Sequence, residues 1–240
     1  MVAIVLLPGM DGTGLLFAEF SSALGDQLRP MIVPYPDDHP LDYAALSDHV
    51  RTFLPANEPF ILLGESFSGP VAIALAAEKP PGLVGLVLCC SFAKNPHPLF
   101  GGFKNLARFL PIMKELTGVM APLLFGRFNS PDLRSAVRHA LECVSRDTLR
   151  ERLKAVLGVD YSAKLKHVAA PILYLQASED RIVPASAGKF IMKAAPSVQI
   201  VKMRGPHLLL QTLPREAATI VLSFAQSSLA ASGPDFARHI

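Results

Sequence analysis

Cysteine is scarce in this 240-residue chain, which has only Cys89, Cys90 and Cys143. An odd number that includes an adjacent pair draws neither a disulfide framework nor a Cys-x-x-Cys metal spacing, so the three are read as reduced packing residues. A His-Glu-x-x-His helix is missing too, and no metal or organic cofactor is expected. Strong charge is also missing. The formal net charge is +3, and no basic run is interleaved with aromatics, so nucleic-acid binding is not expected. No apolar stretch approaches the roughly 18 residues of a membrane span. The apolar opening at residues 2–7 lacks a basic leader and is broken by Pro8-Gly9, too early for a signal peptide. These absences lead to the expectation of a soluble, cytoplasmic protein whose partners are small or apolar molecules.

What is present is apolar: 50% of the residues are hydrophobic and the mean hydropathy is +0.35. A chain of this length can bury a substantial core as one domain. Continuous apolar runs at residues 2–7 and 82–90 read as strands of a parallel sheet covered on both faces, and residues 31–34, 171–177 and 198–203 read as further strands. Helical spacing at residues 15–24, 41–54 and 214–227 separates them. Strands alternating with helices predict an α/β fold, a doubly wound and mostly parallel sheet of about six strands. Ligands of such sheets sit at the carboxyl ends of the strands.

The stretch that organises the rest is Pro59-Phe60-Ile61-Leu62-Leu63-Gly64-Glu65-Ser66-Phe67-Ser68-Gly69-Pro70. Apolar residues make a buried strand, small residues make a turn, and residues 71–77 have the Ala content of a helix. Ser66 therefore falls on a sharp strand-to-helix corner. An ordinary turn with a capping serine is the plainer alternative. Other strand ends add candidates. Pro8-Gly9-Met10-Asp11-Gly12-Thr13-Gly14 follows the first strand, without the Lys-Ser/Thr that would complete a phosphate loop. Ser178-Glu179-Asp180-Arg181-Ile182-Val183-Pro184 follows the run at 171–177, and Gly205-Pro206-His207 follows the last strand. Of seven histidines, His207 alone comes directly after a buried strand near the C-terminus.

Together these segments resemble the α/β-hydrolase family. Gly64-Glu65-Ser66-Phe67-Ser68 resembles its nucleophile elbow, with serine in the fifth place and glycine delayed to Gly69. Pro8-Gly9-Met10-Asp11-Gly12 with Phe17 resembles its oxyanion loop, with Pro8 in place of the customary histidine. Asp180 with Val183-Pro184 resembles its acid turn, and Glu179 is the nearest rival. The resemblance implies a catalytic triad of Ser66, Asp180 and His207, and an oxyanion hole made by the backbone N–H groups of Met10 and Phe67. It also implies eight strands where six are counted, so an N-terminal hairpin is lacking.

Residues 92–166 break the strand rhythm with helical patches near 102–110, 130–144 and 146–157, and the resemblance makes them a helical lid. Lys and Arg outnumber Asp and Glu there, while the rest of the chain is net acidic. A solvated surface and a site for an acidic acyl carrier both remain open. The expected organisation is a core at 1–91 and 167–227, the lid at 92–166 and a loosely ordered tail at 228–240. The expected function is hydrolysis of carboxylic esters of small to medium acyl groups. Thioesters or esters carried on acyl carrier protein or coenzyme A are an alternative, and so is a ligand-binding receptor that retains hydrolase residues.

Overall fold

Strands that never alternate with polar residues have to be covered on both faces, and the computed structural model, which describes residues 2–99 and 122–232, shows that arrangement in the four inner strands of its sheet, whereas the two edge strands, the last one before His207 included, are partly exposed. Six strands, β1 (Val2–Leu7), β2 (Leu28–Ile32), β3 (Phe60–Glu65), β4 (Leu83–Cys89), β5 (Ile172–Ala177) and β6 (Val198–Met203), form one sheet in the order β2-β1-β3-β4-β5-β6. Every pairing is parallel. Successive side chains of a strand point to opposite faces. Ala3, Val5 and Leu7 of β1 accordingly enter the core on one side, and Val2, Ile4 and Leu6 the core on the other.

The first core is closed by α2 (Tyr43–Arg51) and α3 (Gly69–Ala77), the second by α1 (Ala18–Leu24) and a long C-terminal helix at Pro214–Ala231. Asp42 caps α2, its side chain accepting from the Ala45 N–H at 2.8 Å. Gly69 to Ala76 of α3 are all buried, as expected of a helix apolar on every side and lodged between the sheet and α2.

Between β4 and β5 lie α4 (Pro131–Glu142), α5 (Arg146–Gly158) and the short α6 (Ser162–Leu165). Ser130 and Ser145 cap α4 and α5. Leu124, Phe125, Val137, Leu141, Val144 and Leu149 form a separate small core there, against which Met10, Leu16, Ile182 and Leu208 pack. The helix expected near 102–110 lies outside the described residues. After β5 come α7 (Ala185–Ala194), then β6, α8 (Leu209–Thr212) and α9 (Pro214–Ala231).

Three expectations need correction. The second strand is Leu28–Ile32, not 31–34. It is an edge strand with Arg29 and Ile32 exposed, so no continuous apolar run marks it, and its edge position tolerates Pro30. The C-terminal helix does not stop near 227 but runs through Ala231. Ser228 and Leu229 are buried against the second core, so residues 228–231 are not a loose tail. Cys89 and Cys90 are buried packing residues, whereas Cys143 is exposed.

Candidate active site

In a sheet of this order the chain turns away from β1 in both directions, and the crevice at that switch point opens at the carboxyl ends of β1 and β3. The Met10 loop and Ser66 stand there. Ser66 follows β3 directly with a φ of 47°, a left-handed conformation that costs a non-glycine residue about 1–3 kcal/mol. The corner is tight enough that a Cβ at position 64 would lie 2.8 Å from Ala72 Cβ, and one at position 69 only 1.8 Å from Ser91 Oγ. Glycine at both places lets helix and strand meet.

The Ser66 hydroxyl lies 2.8 Å from His207 Nε2. The other ring nitrogen, Nδ1, is 2.9 Å from Asp180 Oδ2 and 3.0 Å from Oδ1. The His207 and Asp180 side chains are each 4% exposed. Asp180 Oδ1 also accepts from the N–H groups of Ile182 and Val183, both at 2.8 Å, so its own turn aims the carboxylate. The rival carboxylate points elsewhere: Glu179 pairs with Arg127 at 3.4 Å and Arg204 at 3.7 Å on a part-exposed face. A hydroxyl on an imidazole whose second nitrogen is held by a carboxylate can pass its proton to that imidazole as it attacks an electrophile.

The backbone on either side of Ser66 is held at several points. Ser91 Oγ donates to the Ser66 carbonyl at 2.5 Å, and the Tyr43 hydroxyl donates to the Phe67 carbonyl at 3.0 Å. Tyr43 also stacks on the Phe67 ring with centroids 4.9 Å apart. Ser68, in the fifth place of the motif, is fully buried and donates to the Pro8 carbonyl. The Tyr35 hydroxyl, 2.6 Å from Ser68 Oγ, is then the donor of that pair. Burial pushes the Tyr35 pKa up and keeps the hydroxyl a neutral donor. The serine that stands where a glycine is customary thus ties the elbow to the loop after β1. Phe67 opens the first helical turn, where an N–H has no partner within the helix. The Met10 N–H has no acceptor among the described residues.

Glu65 was read from sequence only as the variable residue of the motif. It is 4% exposed beside Ser66, and burial pushes its carboxyl up to about 7, against the Gln211 amide that donates to Oε1 at 3.0 Å. Other supporting residues that sequence reasoning missed, Tyr35, Tyr43 and Ser91, carry no local motif. They act through contacts 24 to 33 positions away along the chain.

Above these groups lies a cavity of about 630 Å³, lined at one end by Gly9, Met10, Glu65, Ser66, Phe67 and His207. Its remaining wall is chiefly apolar, with Val137 and Leu141 of α4, Leu153, Val156 and Leu157 of α5, and Leu16, Phe92, Leu124, Ile182 and Leu208. Among the described residues, no three His, Cys, Asp or Glu side chains gather as a metal-binding set. No described helix is long and apolar enough to cross a membrane.

A sheet of this order with a serine elbow at its switch point defines an α/β-hydrolase architecture. Residues 4–219 match the profile of the alpha/beta hydrolase family, and the chain belongs to that family. Among its relatives is RutD of Klebsiella pneumoniae (strain 342), provisionally named a carbamate hydrolase, 26% identical over 226 residues that cover 83% of this chain and 82% of RutD. Another is a pimeloyl-[acyl-carrier protein] methyl ester esterase of Neisseria meningitidis serogroup B (strain MC58), 26% identical over 187 residues, or 68% of this chain and 67% of the esterase. A hydrolase from Pseudomonas aeruginosa shares the fold with a TM-score of 0.78 at 22% identity, covering 93% of this chain and 89% of that one.

Proposed function

We propose that the protein is a serine hydrolase of carboxylic esters with small to medium acyl groups. The reading rests on the hydrogen-bonded series Ser66, His207 and Asp180 at one end of an apolar cavity. In this reading Ser66 Oγ attacks the acyl carbonyl while His207 Nε2 takes its proton. The N–H groups of Met10 and Phe67 receive the oxyanion, and protonated His207 gives its proton to the departing alkoxide. Water then attacks the acyl-enzyme, His207 accepts its proton, and collapse returns that proton to Ser66 Oγ with release of the acid. Asp180 holds the tautomer in which Nε2 faces Ser66 and stabilises the imidazolium. Residues 92–166 serve as the lid, and the apolar side chains that α4 and α5 turn to the cavity receive the acyl chain.

The test is labelling by a fluorophosphonate together with turnover of p-nitrophenyl esters of rising chain length. Labelling at Ser66 with turnover that peaks at short or medium chains supports the reading. A folded protein that neither labels nor turns over any ester is a binding protein that retains hydrolase residues.

One observation favours a second substrate class, esters or thioesters on an acidic carrier. Arg134 and Arg138 share α4, Arg146 and Arg150 share α5, and the Neisseria relative is named for a carrier-linked ester. The basic set is smaller than the sequence suggested, because Arg152 is turned inward and Arg150 pairs with Asp147 at 3.1 Å.

A further inference from the structure

Arg152 comes from α5 of the insertion, yet it is the largest fully buried side chain among the described residues, at 1% exposure. A guanidinium taken out of water needs replacement partners. It makes no ion pair with a described carboxylate and donates instead to three backbone carbonyls. Nη1 reaches the carbonyls of Met10 at 3.0 Å and Asp11 at 2.7 Å, and Nη2 reaches that of Pro36 at 2.8 Å. The Tyr35 ring lies 5.7 Å from its Cζ.

Two of these bonds fall on the peptides that directly follow the Gly9–Met10 peptide. The Gly9–Met10 peptide presents its carbonyl to the Gly12 N–H at 3.0 Å, so its own N–H, that of Met10, points the opposite way. Gly12 in turn has a φ of +70° and lies against the guanidinium so closely that a Cβ there would be 2.4 Å from Nη1. The Gly12 carbonyl accepts from the Tyr35 N–H at 2.8 Å, which ties the loop after β1 to the loop after β2. A second bond from the insertion, from the Ser145 N–H to the Asp37 carbonyl at 2.8 Å, holds the latter loop.

We propose that Arg152 is the positioning residue of the oxyanion loop: by gripping the Met10 and Asp11 carbonyls and packing on Gly12, it sets the direction of the Met10 N–H. The insertion then does more than cover the acyl chain, because one of its helices holds half of the oxyanion hole in register. This rests on the hydrolase reading above. A guanidinium is suited to the task because its planar fork spans three carbonyls that a lysine ammonium cannot reach together.

The experiment uses the full chain, p-nitrophenyl butyrate, and a fluorophosphonate to count reactive Ser66. If wild type neither labels nor turns over, the hydrolase reading fails at once, before any variant is compared. With active wild type, Arg152→Met is expected to lose about 10²-fold in kcat per labelled site with KM little changed, the cost of a donor displaced by about an ångström. Affinity for an alkyl trifluoromethyl ketone, which becomes an oxyanion on Ser66, should fall by the same factor as kcat/KM. Added guanidinium should restore part of the kcat of Arg152→Ala. An arginine that merely stabilises the fold would lower the melting temperature and the number of labelled sites. It would leave kcat per labelled site within about twofold, and that result overturns the proposal. If Arg152→Met does not fold, Arg152→Lys decides: about a tenfold loss in kcat with unchanged KM supports the role, and wild-type kcat refutes it.

Discussion

At one end of the cavity Ser66, His207 and Asp180 stand on the ends of β3, β6 and β5, and nearly every polar atom there has a hydrogen bond that aims it. The other wall is made of Val137, Leu141, Leu153 and Val156, side chains of two helices with a small core of their own. The first region is specified by direction and the second by volume. Hydrogen bonds and backbone corners tolerate little displacement, so the strand ends suit chemistry. Apolar contacts are non-directional, so under the proposed ester hydrolysis the helical wall would select the acyl chain and could change without disturbing the reaction.

The largest effect should come from breaking the strand-end region. Ser66→Ala and His207→Ala are each expected to lower kcat for p-nitrophenyl butyrate by about 10⁴-fold or more, with circular dichroism unchanged. Asp180→Asn should be comparably severe through the wrong His207 tautomer. Glu179→Gln, removing a carboxylate that faces Arg127 and Arg204, should leave kcat within about twofold. The reverse ranking of the Asp180 and Glu179 variants would exchange their roles.

Next comes the backbone donor. Met10→Pro removes the N–H and should cost about 10²-fold or more in kcat, whereas Met10→Leu keeps it and should be mild. Full activity in a natively folded Met10→Pro protein would move the oxyanion hole away from this loop.

Glu65 tests the same region through stability. Its folded pKa of about 7 is above the ordinary value of 4.5. Between those values the folded state holds more protons than the unfolded state, so stability falls as pH rises and the full penalty is present above 7. The penalty is about 3 kcal/mol. Glu65→Gln removes it, so chemical denaturation of the variant should show a smaller loss between pH 5 and pH 8 than wild type. Parallel pH profiles would mean that the carboxyl stays ionised where it lies.

The smallest effects belong to the helical wall. Leu141→Ala should raise kcat/KM for longer acyl chains relative to acetate by several-fold, since each accommodated CH₂ is worth about 0.8 kcal/mol. Turnover of p-nitrophenyl acetate should stay near wild type. A loss of kcat common to all chain lengths would mean that the wall takes part in the chemistry.

Much of this was legible in the chain itself. Runs such as Ile61-Leu62-Leu63 have no polar alternate to turn toward water, so they announce strands covered on both faces, and residues just beyond them announce strand ends. That places Ser66, Asp180 and His207 on one rim of the sheet. The edge strand β2 was misplaced because Arg29 and Ile32 face solvent. The last four residues of α9 were missed because Ser228 looks polar, although it is buried. Arg152 left a trace that went unread: with Leu149, Leu153 and Val156 it occupies the apolar face of its helix, where a charged residue must be buried.

The order of buried strands and the residues at their ends follow from sequence alone, because a covered parallel strand requires a continuous apolar run and a corner requires small residues. Which carboxylate faces His207 depended on the turn at Asp180, whose side chain is drawn inward by two backbone N–H groups while Glu179 is drawn outward by arginines. That Glu65 is held near neutrality, and that an arginine of the insertion grips the loop after β1, were decided by packing between segments up to 146 positions apart. Such contacts leave no local pattern, because their energy comes from desolvation and from partners brought together only when the sheet and insertion have folded.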